Sequence, residues 1–152
     1  MLRTSSNRPE PAMHFLYKPD MLPFHFLDPE SDQALDFCLR NLLWSDPEKL
    51  RAFMGPDPTQ SPYFAEFGES GFECRLHSSD PEVKELFRDW PSWAKYKVTA
   101  YDFLDKDRVI RYYRALEFEN HIRNALRAYV SSFPDRLNAI NVLSNEIGLG
   151  KL

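Results

Sequence analysis

The stretch DKDRVIRYYRALEFENHIRNALRAYVSSF, residues Asp105 to Phe133, contains no glycine and no proline. Its apolar side chains recur every three or four residues, a spacing typical of an amphipathic helix. These positions are Val109, Tyr112, Tyr113, Leu116, Phe118, Ile122, Ala125, Leu126, Tyr129, Val130 and Phe133. Asp105 or Asp107 can cap the start, and Pro134 disfavours helical geometry at the residue before it. The pattern predicts one continuous helix of about 40 Å over residues 105–133, and a mainly α-helical protein organised on it.

Composition limits the class of protein. The chain has 152 residues, of which 43% are hydrophobic and 28% are charged. A chain of this size can bury a core without metal or disulfides, so a single helical domain is predicted over residues 13–152. The polar, proline-containing residues 1–12 are predicted to be a disordered tail, and either Met1 or Met13 is compatible with the start. The net charge of −4 argues against nucleic acid as a partner.

The expected compartment follows from segments that are missing from the sequence. There is no apolar run of about 18 residues and no apolar core of a signal peptide near the N-terminus. We therefore expect a cytoplasmic protein, at most peripheral to a membrane complex, with no direct membrane insertion. Cys38 and Cys74 are interpreted as reduced buried thiols, with a structural disulfide as the alternative.

An Asp-Pro-Glu triplet occurs three times, beginning at residues 28, 46 and 80. Aspartate can cap a helix, proline is tolerated at the first helical position, and glutamate suits the positive helix N-terminus. The triplets predict helices that run to about Leu43, Met54 and Trp90. A further helix is predicted from Ser92 through Tyr101–Phe103, and a last one from Pro134 to about Ile147, ended by Gly148.

Glycine and proline interrupt the other segments. Residues 55–79 are predicted to be a loop or a small β-hairpin at 63–76, with extended pieces around Tyr63–Phe67 and Phe72–Leu76. Residues 13–27 are cut by Pro19 and Pro23, which predicts short extended segments, the first at His14–Tyr17.

No complete catalytic signature is present, and no cofactor is predicted. The histidines are scattered at His14, His25, His77 and His121. Cys74-x-x-His77 is a single half-site, whereas zinc needs three or four convergent ligands, so no metal site is expected. The helical pattern nevertheless places Arg114 and His121 two turns apart. This spacing resembles the active-site motif of HEPN ribonucleases, although Ala115 departs from the polar residue usual after that arginine. The resemblance implies His121 as general base and Arg114 as phosphate ligand.

Five polar residues lie beside the apolar side of the same predicted helix. They are Glu119, Asn120, Arg123, Asn124 and Arg127, named here the polar ridge. Glu119 and Arg123 are four residues apart in the favourable order for an ion pair. Amide and guanidinium groups next to a core fix a neighbouring backbone or bind a partner's carboxylate. The ridge is predicted to bind a protein partner, with a merely solvated surface as the alternative.

Two blocks resemble a family encoded among the subunits of bacterial V-type ATPases. Tyr113 with FENHIRNALRA (residues 118–128) is similar to its signature of an aromatic residue followed by Phe-Glu-x-x-Ile-Arg-Asn-x-Leu-x-Ala. HFLY (14–17) and MLPF (21–24) look like its opening strand and turn. The likeness covers about half of the chain, and His14 replaces the family's opening aromatic residue. It implies a non-catalytic helical subunit whose partners are other ATPase subunits.

The sequence thus predicts a non-catalytic helical interaction protein, and the resemblance implies that it is an accessory subunit of a bacterial V-type ATPase. One alternative is a HEPN-like ribonuclease that uses Arg114 and His121. Another is an immunity- or antitoxin-type binder, which small size and acidity favour.

Overall fold

Strands and helices both build this protein. The computed structural model describes residues 30–54, 63–65, 70–76, 79–102 and 106–152. Within them, four strands form an antiparallel sheet in the order β1-β2-β3-β4: β1 Tyr63–Ala65, β2 Gly71–Cys74, β3 Tyr96–Asp102 and β4 Asp107–Tyr113. The helices are α1 Gln33–Ser45, α2 Lys49–Met54, α3 Pro81–Leu86, α4 Ala115–Ser132 and α5 Leu137–Glu146, with a 3-10 turn at Pro134–Arg136. The fold is mixed α/β, so the prediction of a mainly α-helical protein is wrong.

The predicted helix over residues 105–133 is a strand followed by a shorter helix. β4 pairs with β3 along seven residues, from Asp102↔Asp107 to Tyr96↔Tyr113. β-Branched and aromatic residues dominate β4, and such residues pack well on a pleated surface. Helix α4 then begins at Ala115, where the carboxylate of Glu117 accepts the Arg114 backbone N–H at 3.0 Å. The second half of the prediction is confirmed, and the first half is wrong.

The helix predicted through Tyr101–Phe103 is also wrong, because residues 96–102 form β3. Burial alternates along this strand: Tyr96, Val98 and Ala100 are buried, and the residues between them are half-buried. A period of two residues places every second side chain on the same side of a sheet. Tyr96, Val98 and Ala100 therefore lie on the side of the sheet that α1, α2 and α4 cover, here called the inner side.

The capping triplets and the hairpin are partly confirmed. Asp46 and Asp80 each accept a backbone N–H two residues later, at 3.0 Å from Glu48 and 2.9 Å from Glu82. Helix α3 ends at Leu86, earlier than predicted, and α1 begins only at Gln33. β1 and β2 pair as the predicted hairpin over 63–76. The Asp28 cap, the tail over 1–12 and the extended segments in 13–27 lie outside the described residues.

Aromatic packing joins the inner side of the sheet to the helices. Phe118 of α4 stacks on Tyr96 of β3, with ring centroids 4.1 Å apart and planes 15° from parallel. Phe53 of α2 and Phe72 of β2 complete this contact, and α1 packs against β3 and β4. On the other side of the sheet, Tyr112 of β4 and Val83 of α3 pack against a smaller apolar cluster formed by Phe87, Trp90 and Ala94. α3 and α4 therefore lie on opposite sides of the sheet.

Gly148 ends α5, as the sequence predicts. Its φ of 86° is in the left-handed region. The Leu149 N–H donates to Ser144 O at 2.9 Å, and the Gly148 N–H donates to Asn145 O at 3.2 Å. This pair of bonds is a Schellman motif, which pairs carbonyls that the helix end would leave unpaired. Leu149 is buried in the core, so the chain after α5 packs back against the rest of the protein.

Phe118→Ala should lower the free energy of unfolding by about 3–5 kcal/mol, since it removes a fully buried ring. Leu116→Ala is the matched control, because Leu116 lies on the same helix and is 67% exposed. It should change stability by less than about 0.5 kcal/mol. Urea denaturation measures both. Equal losses would mean that the buried side of α4 is wrongly placed.

Gly148→Ala should cost about 1 kcal/mol, because alanine resists positive φ whereas glycine does not. Nothing lies within 4 Å of the position of an added Cβ atom, so the cost is conformational rather than steric. Gly148→Asn should cost less, since asparagine tolerates the left-handed region. Thermal unfolding of the two variants compares them, and identical melting temperatures would contradict the role of φ.

Candidate functional site

The polar ridge lies entirely on α4, but its members differ in exposure. Asn120, Asn124 and Arg127 are exposed, whereas Glu119 and Arg123 are half-buried. The opposite side of the helix is buried. Its residues are Phe118, Ile122, Ala125, Leu126, Ala128 and Tyr129. The structure therefore brings three of the five predicted residues to the surface together.

Arg123 holds the C-terminal segment of its own chain. Its Nη1 donates to Asn120 Oδ1 at 2.8 Å and its Nη2 donates to Leu149 O at 3.1 Å. In the described part of the chain these bonds take the place of the ion pair with Glu119 that the spacing predicts. A guanidinium beside a core is predicted either to fix a neighbouring backbone or to bind a partner's carboxylate. Arg123 has the first of these roles, because it binds the backbone carbonyl of Leu149.

The exposed side of α4 forms one continuous surface, here called the α4 stripe. Its members are Leu116, Asn120, Asn124, Arg127 and Ser131, which recur at three- or four-residue intervals. Leu116 is 67% exposed, although the helical pattern predicts that it is buried. Arg127 Nη1 donates to Asn124 Oδ1 at 3.5 Å. The stripe thus combines an apolar residue at its head with amides and a cation along its length.

A second exposed apolar residue lies near the head of the stripe. Trp93 is 44% exposed, and the Arg114 guanidinium lies over its ring, 4.7 Å from the centroid. This cation–π contact orders both side chains at the surface. Trp93 and Arg114 are 21 residues apart in the chain, and no sequence pattern indicates that they are in contact.

Arg114 and His121, the predicted ribonuclease pair, have different neighbours. His121 Nε2 lies 3.4 Å from Asp32 Oδ2, and the His121 ring meets that of Tyr113 edge-on at 5.7 Å. Arg114 instead covers Trp93. The arginine that shares Asp32 with His121 is Arg111, whose Nη2 lies 3.9 Å from Asp32 Oδ1. The alternation of β4 places Arg111 and Tyr113 on one side of the strand, which a helical interpretation of this stretch cannot reveal.

These four residues, Asp32, Arg111, Tyr113 and His121, form the Asp32 junction. The Tyr113 hydroxyl donates to Asp32 Oδ1 at 2.7 Å, and Arg111 Nη1 donates to Ser31 O at 3.0 Å. Tyr113 is 2% exposed, and burial, followed by the hydrogen bond to Asp32, raises its pKa. The junction ties the start of α1 to β4 and α4. It consists of one acceptor surrounded by donors, an arrangement that supports structure rather than nucleophilic chemistry.

In the part of the chain that the structure describes, the fold does not assemble a metal site or a reactive cysteine site. Within the described residues, no group of three or more His, Cys, Asp or Glu side chains is placed to hold a metal ion. His14, His25 and His77 lie outside those residues. Cys38 and Cys74 are buried and unbridged, and burial raises the pKa of the Cys74 thiol, which disfavours the nucleophilic thiolate. None of the helices described has the length and hydropathy needed to cross a membrane.

No protein-family model matches this chain, and no curated protein or solved structure matches it significantly. The α4 stripe, with Trp93 and Arg114 beside its head, is the candidate functional site because it joins exposed apolar and cationic groups on a rigid helix.

Stability should fall with pH above the ordinary tyrosine pKa of about 10. The folded protein favours the neutral hydroxyl of Tyr113, so its contribution is fully present below that pH and is lost as the pH rises. Tyr113→Phe should cost about 1 kcal/mol at neutral pH and make the alkaline decline shallower. Urea denaturation between about pH 8 and pH 11 measures both effects. An unchanged alkaline slope in the variant would contradict the assignment.

Proposed function

We propose that this protein is a non-catalytic interaction protein that presents the α4 stripe to a protein partner. The observation that carries the proposal is Leu116, which is 67% exposed on a helix whose opposite side is fully packed. Trp93, 44% exposed, adds a large apolar group near the same end. Tryptophan and arginine are enriched among the residues that contribute most binding energy at protein interfaces. A rigid helix that presents such groups loses little conformational entropy when a partner binds.

We further propose that the partner complex is a bacterial V-type ATPase, of which this chain is an accessory subunit. The support is the resemblance of Tyr113 and residues 118–128 to the family signature. The apolar members of that stretch are buried, and Arg123 holds the C-terminal segment. We propose that this chain and the family share these residues because they build the same fold. A signature made of structural residues agrees with a subunit that has no active site. In this proposal the protein is cytoplasmic and reaches the membrane complex only through other subunits.

The ribonuclease and antitoxin alternatives receive less support from the geometry. Arg114 covers Trp93, whereas His121 contacts Asp32 and Tyr113, so the two side chains do not face one phosphate position. In-line chemistry on RNA needs a base and a phosphate ligand that act on the same atoms. The immunity- or antitoxin-type binder rests on size and acidity, and it shares with our proposal the need for an exposed binding surface.

Native purification tests this function. The full chain, affinity-tagged and expressed from its own locus, should recover V-type ATPase subunits from a detergent extract. Leu116→Asp should abolish their recovery, because it places a charge at the head of the α4 stripe. It should leave the fold intact, since an acidic residue in the first turn of a helix is favourable. Val142→Asp on α5 is the matched control, because Val142 is also exposed, at 54%.

Recovery of the wild-type chain as a lone monomer would contradict the interaction proposal. Recovery of a different complex that Leu116→Asp abolishes would contradict only the ATPase assignment. Equal recovery of ATPase subunits by Leu116→Asp and Val142→Asp would mean that another surface makes the contact.

A further inference from the structure

The hydrogen bonds along α4 give its exposed surface a consistent polarity. The side-chain oxygens of Asn120 and Asn124 already accept N–H groups from Arg123 and Arg127, one turn further along. One lone pair of each amide oxygen is used in this way, and both NH2 groups remain available as donors. An arginine carries five N–H donors and no acceptor, so Arg127 adds further donors beside them. From Leu116 to Ser131, the members of the α4 stripe therefore include one cation and no carboxylate.

Neither of the two carboxylates of α4 is a member of the α4 stripe. Glu117 accepts the Arg114 backbone N–H at 3.0 Å, at the first turn of the helix. Glu119 is half-buried and lies toward Tyr96, whose pKa it helps to raise after burial, the main cause. The whole chain carries a net charge of −4, so the cationic stripe differs in sign from the protein as a whole. Complementary charge at an interface favours the correct partner and repels others.

The apolar head of the stripe distinguishes a protein from a nucleic acid as the partner. Leu116 and Trp93 are 67% and 44% exposed beside the donors. Nucleic-acid sites neutralise several phosphates with lysine and arginine. The α4 stripe contains one arginine, Arg127, and the neighbouring Arg123 already donates to Leu149 O. One arginine is too few for such a site. An apolar anchor followed by a short row of donors fits a segment that carries an apolar side chain and then several carboxylates.

We infer that the α4 stripe binds an acidic, carboxylate-bearing segment of a partner protein, with an apolar side chain of that segment seated at Leu116 and Trp93. This inference rests on the proposed function and names the chemistry of the partner. Arginine and carboxylate groups form charge-assisted hydrogen bonds, which are stronger than neutral ones. The Asn–Arg pairs hold the donors in place before binding, which reduces the entropy lost on association.

Two synthetic helical peptides serve as probes, with leucine at the same positions and either glutamate or lysine at all others. The purified full chain should bind the Leu/Glu peptide and not the Leu/Lys peptide in fluorescence anisotropy at low salt. Arg127→Glu should weaken binding by about tenfold or more. Lys84→Glu, the same charge reversal on α3 across the sheet, should leave it unchanged.

An isosteric pair of variants removes donors without changing volume. Asn124→Asp replaces the exposed NH2 donor by a carboxylate oxygen and should weaken binding several-fold. Asn138→Asp is the matched control on α5, where Asn138 is also exposed. Circular dichroism of all four variants should show an unchanged fold, because each site is exposed.

Three results would overturn the inference: equal binding of both peptides, unchanged binding by Arg127→Glu and Asn124→Asp, or single-stranded RNA bound through Arg127 in place of the Leu/Glu peptide. The outcomes separate this inference from the proposed function. If wild type and Arg127→Glu recover ATPase subunits equally in native purification, the inference of an acidic partner segment is contradicted and the proposed function is not. Leu/Glu binding lost in Arg127→Glu, together with recovery of a complex other than the ATPase in native purification, would contradict the ATPase assignment alone.

Discussion

The stacking of Phe118 on Tyr96 determines how the rest of the molecule is arranged. Tyr96 lies opposite Tyr113 in the β3–β4 register, and α4 begins two residues after Tyr113. The helix must therefore turn back at once to bring Phe118 onto the sheet, with ring centroids 4.1 Å apart. Such aromatic pairs contribute about 0.5–1.5 kcal/mol beyond the burial of their area. This contact fixes the rotation of α4, and so it decides which residues form the α4 stripe.

Polar groups stabilise the same arrangement where apolar packing ends. Asp32 receives the Tyr113 hydroxyl at the start of α1, and Arg123 donates to Leu149 O near the C-terminus. Each contact joins segments that are distant along the chain. A polar residue beside a core is therefore weak evidence of an external ligand, because the fold itself leaves carbonyls and carboxylates that need donors. Only those ridge residues that stay exposed are available to a partner.

If the α4 stripe binds an acidic segment, as we infer, its positive charge affects how fast and in which orientation the two proteins associate. Opposite charges accelerate the encounter with an acidic partner, and the negative remainder of the surface opposes other orientations. Leu116 and Trp93 then supply apolar area that charge alone cannot, since exposed ion pairs contribute little to affinity. In the proposed complex, orientation and affinity would come from different residues of one site, which α4 and the turn at Trp93 hold together.

The sequence by itself determined that residues 115–132 are helical, that this helix ends before Pro134, and that Gly148 ends the last helix. It predicted the start of the long helix ten residues too early, and it left residues 63–76 as either a loop or a hairpin. The features that it determined depend on local bonds and on periodicity, which a sequence displays. Only the tertiary structure decided that residues 96–102 and 107–113 are strands, because their apolar residues fit both periods and the backbone bonds of a strand depend on its neighbour. The same pairing brought Arg111 rather than Arg114 to His121. It also left Leu116 and Trp93 exposed, since the placement of α4 on the sheet depends on contacts between residues far apart in the chain.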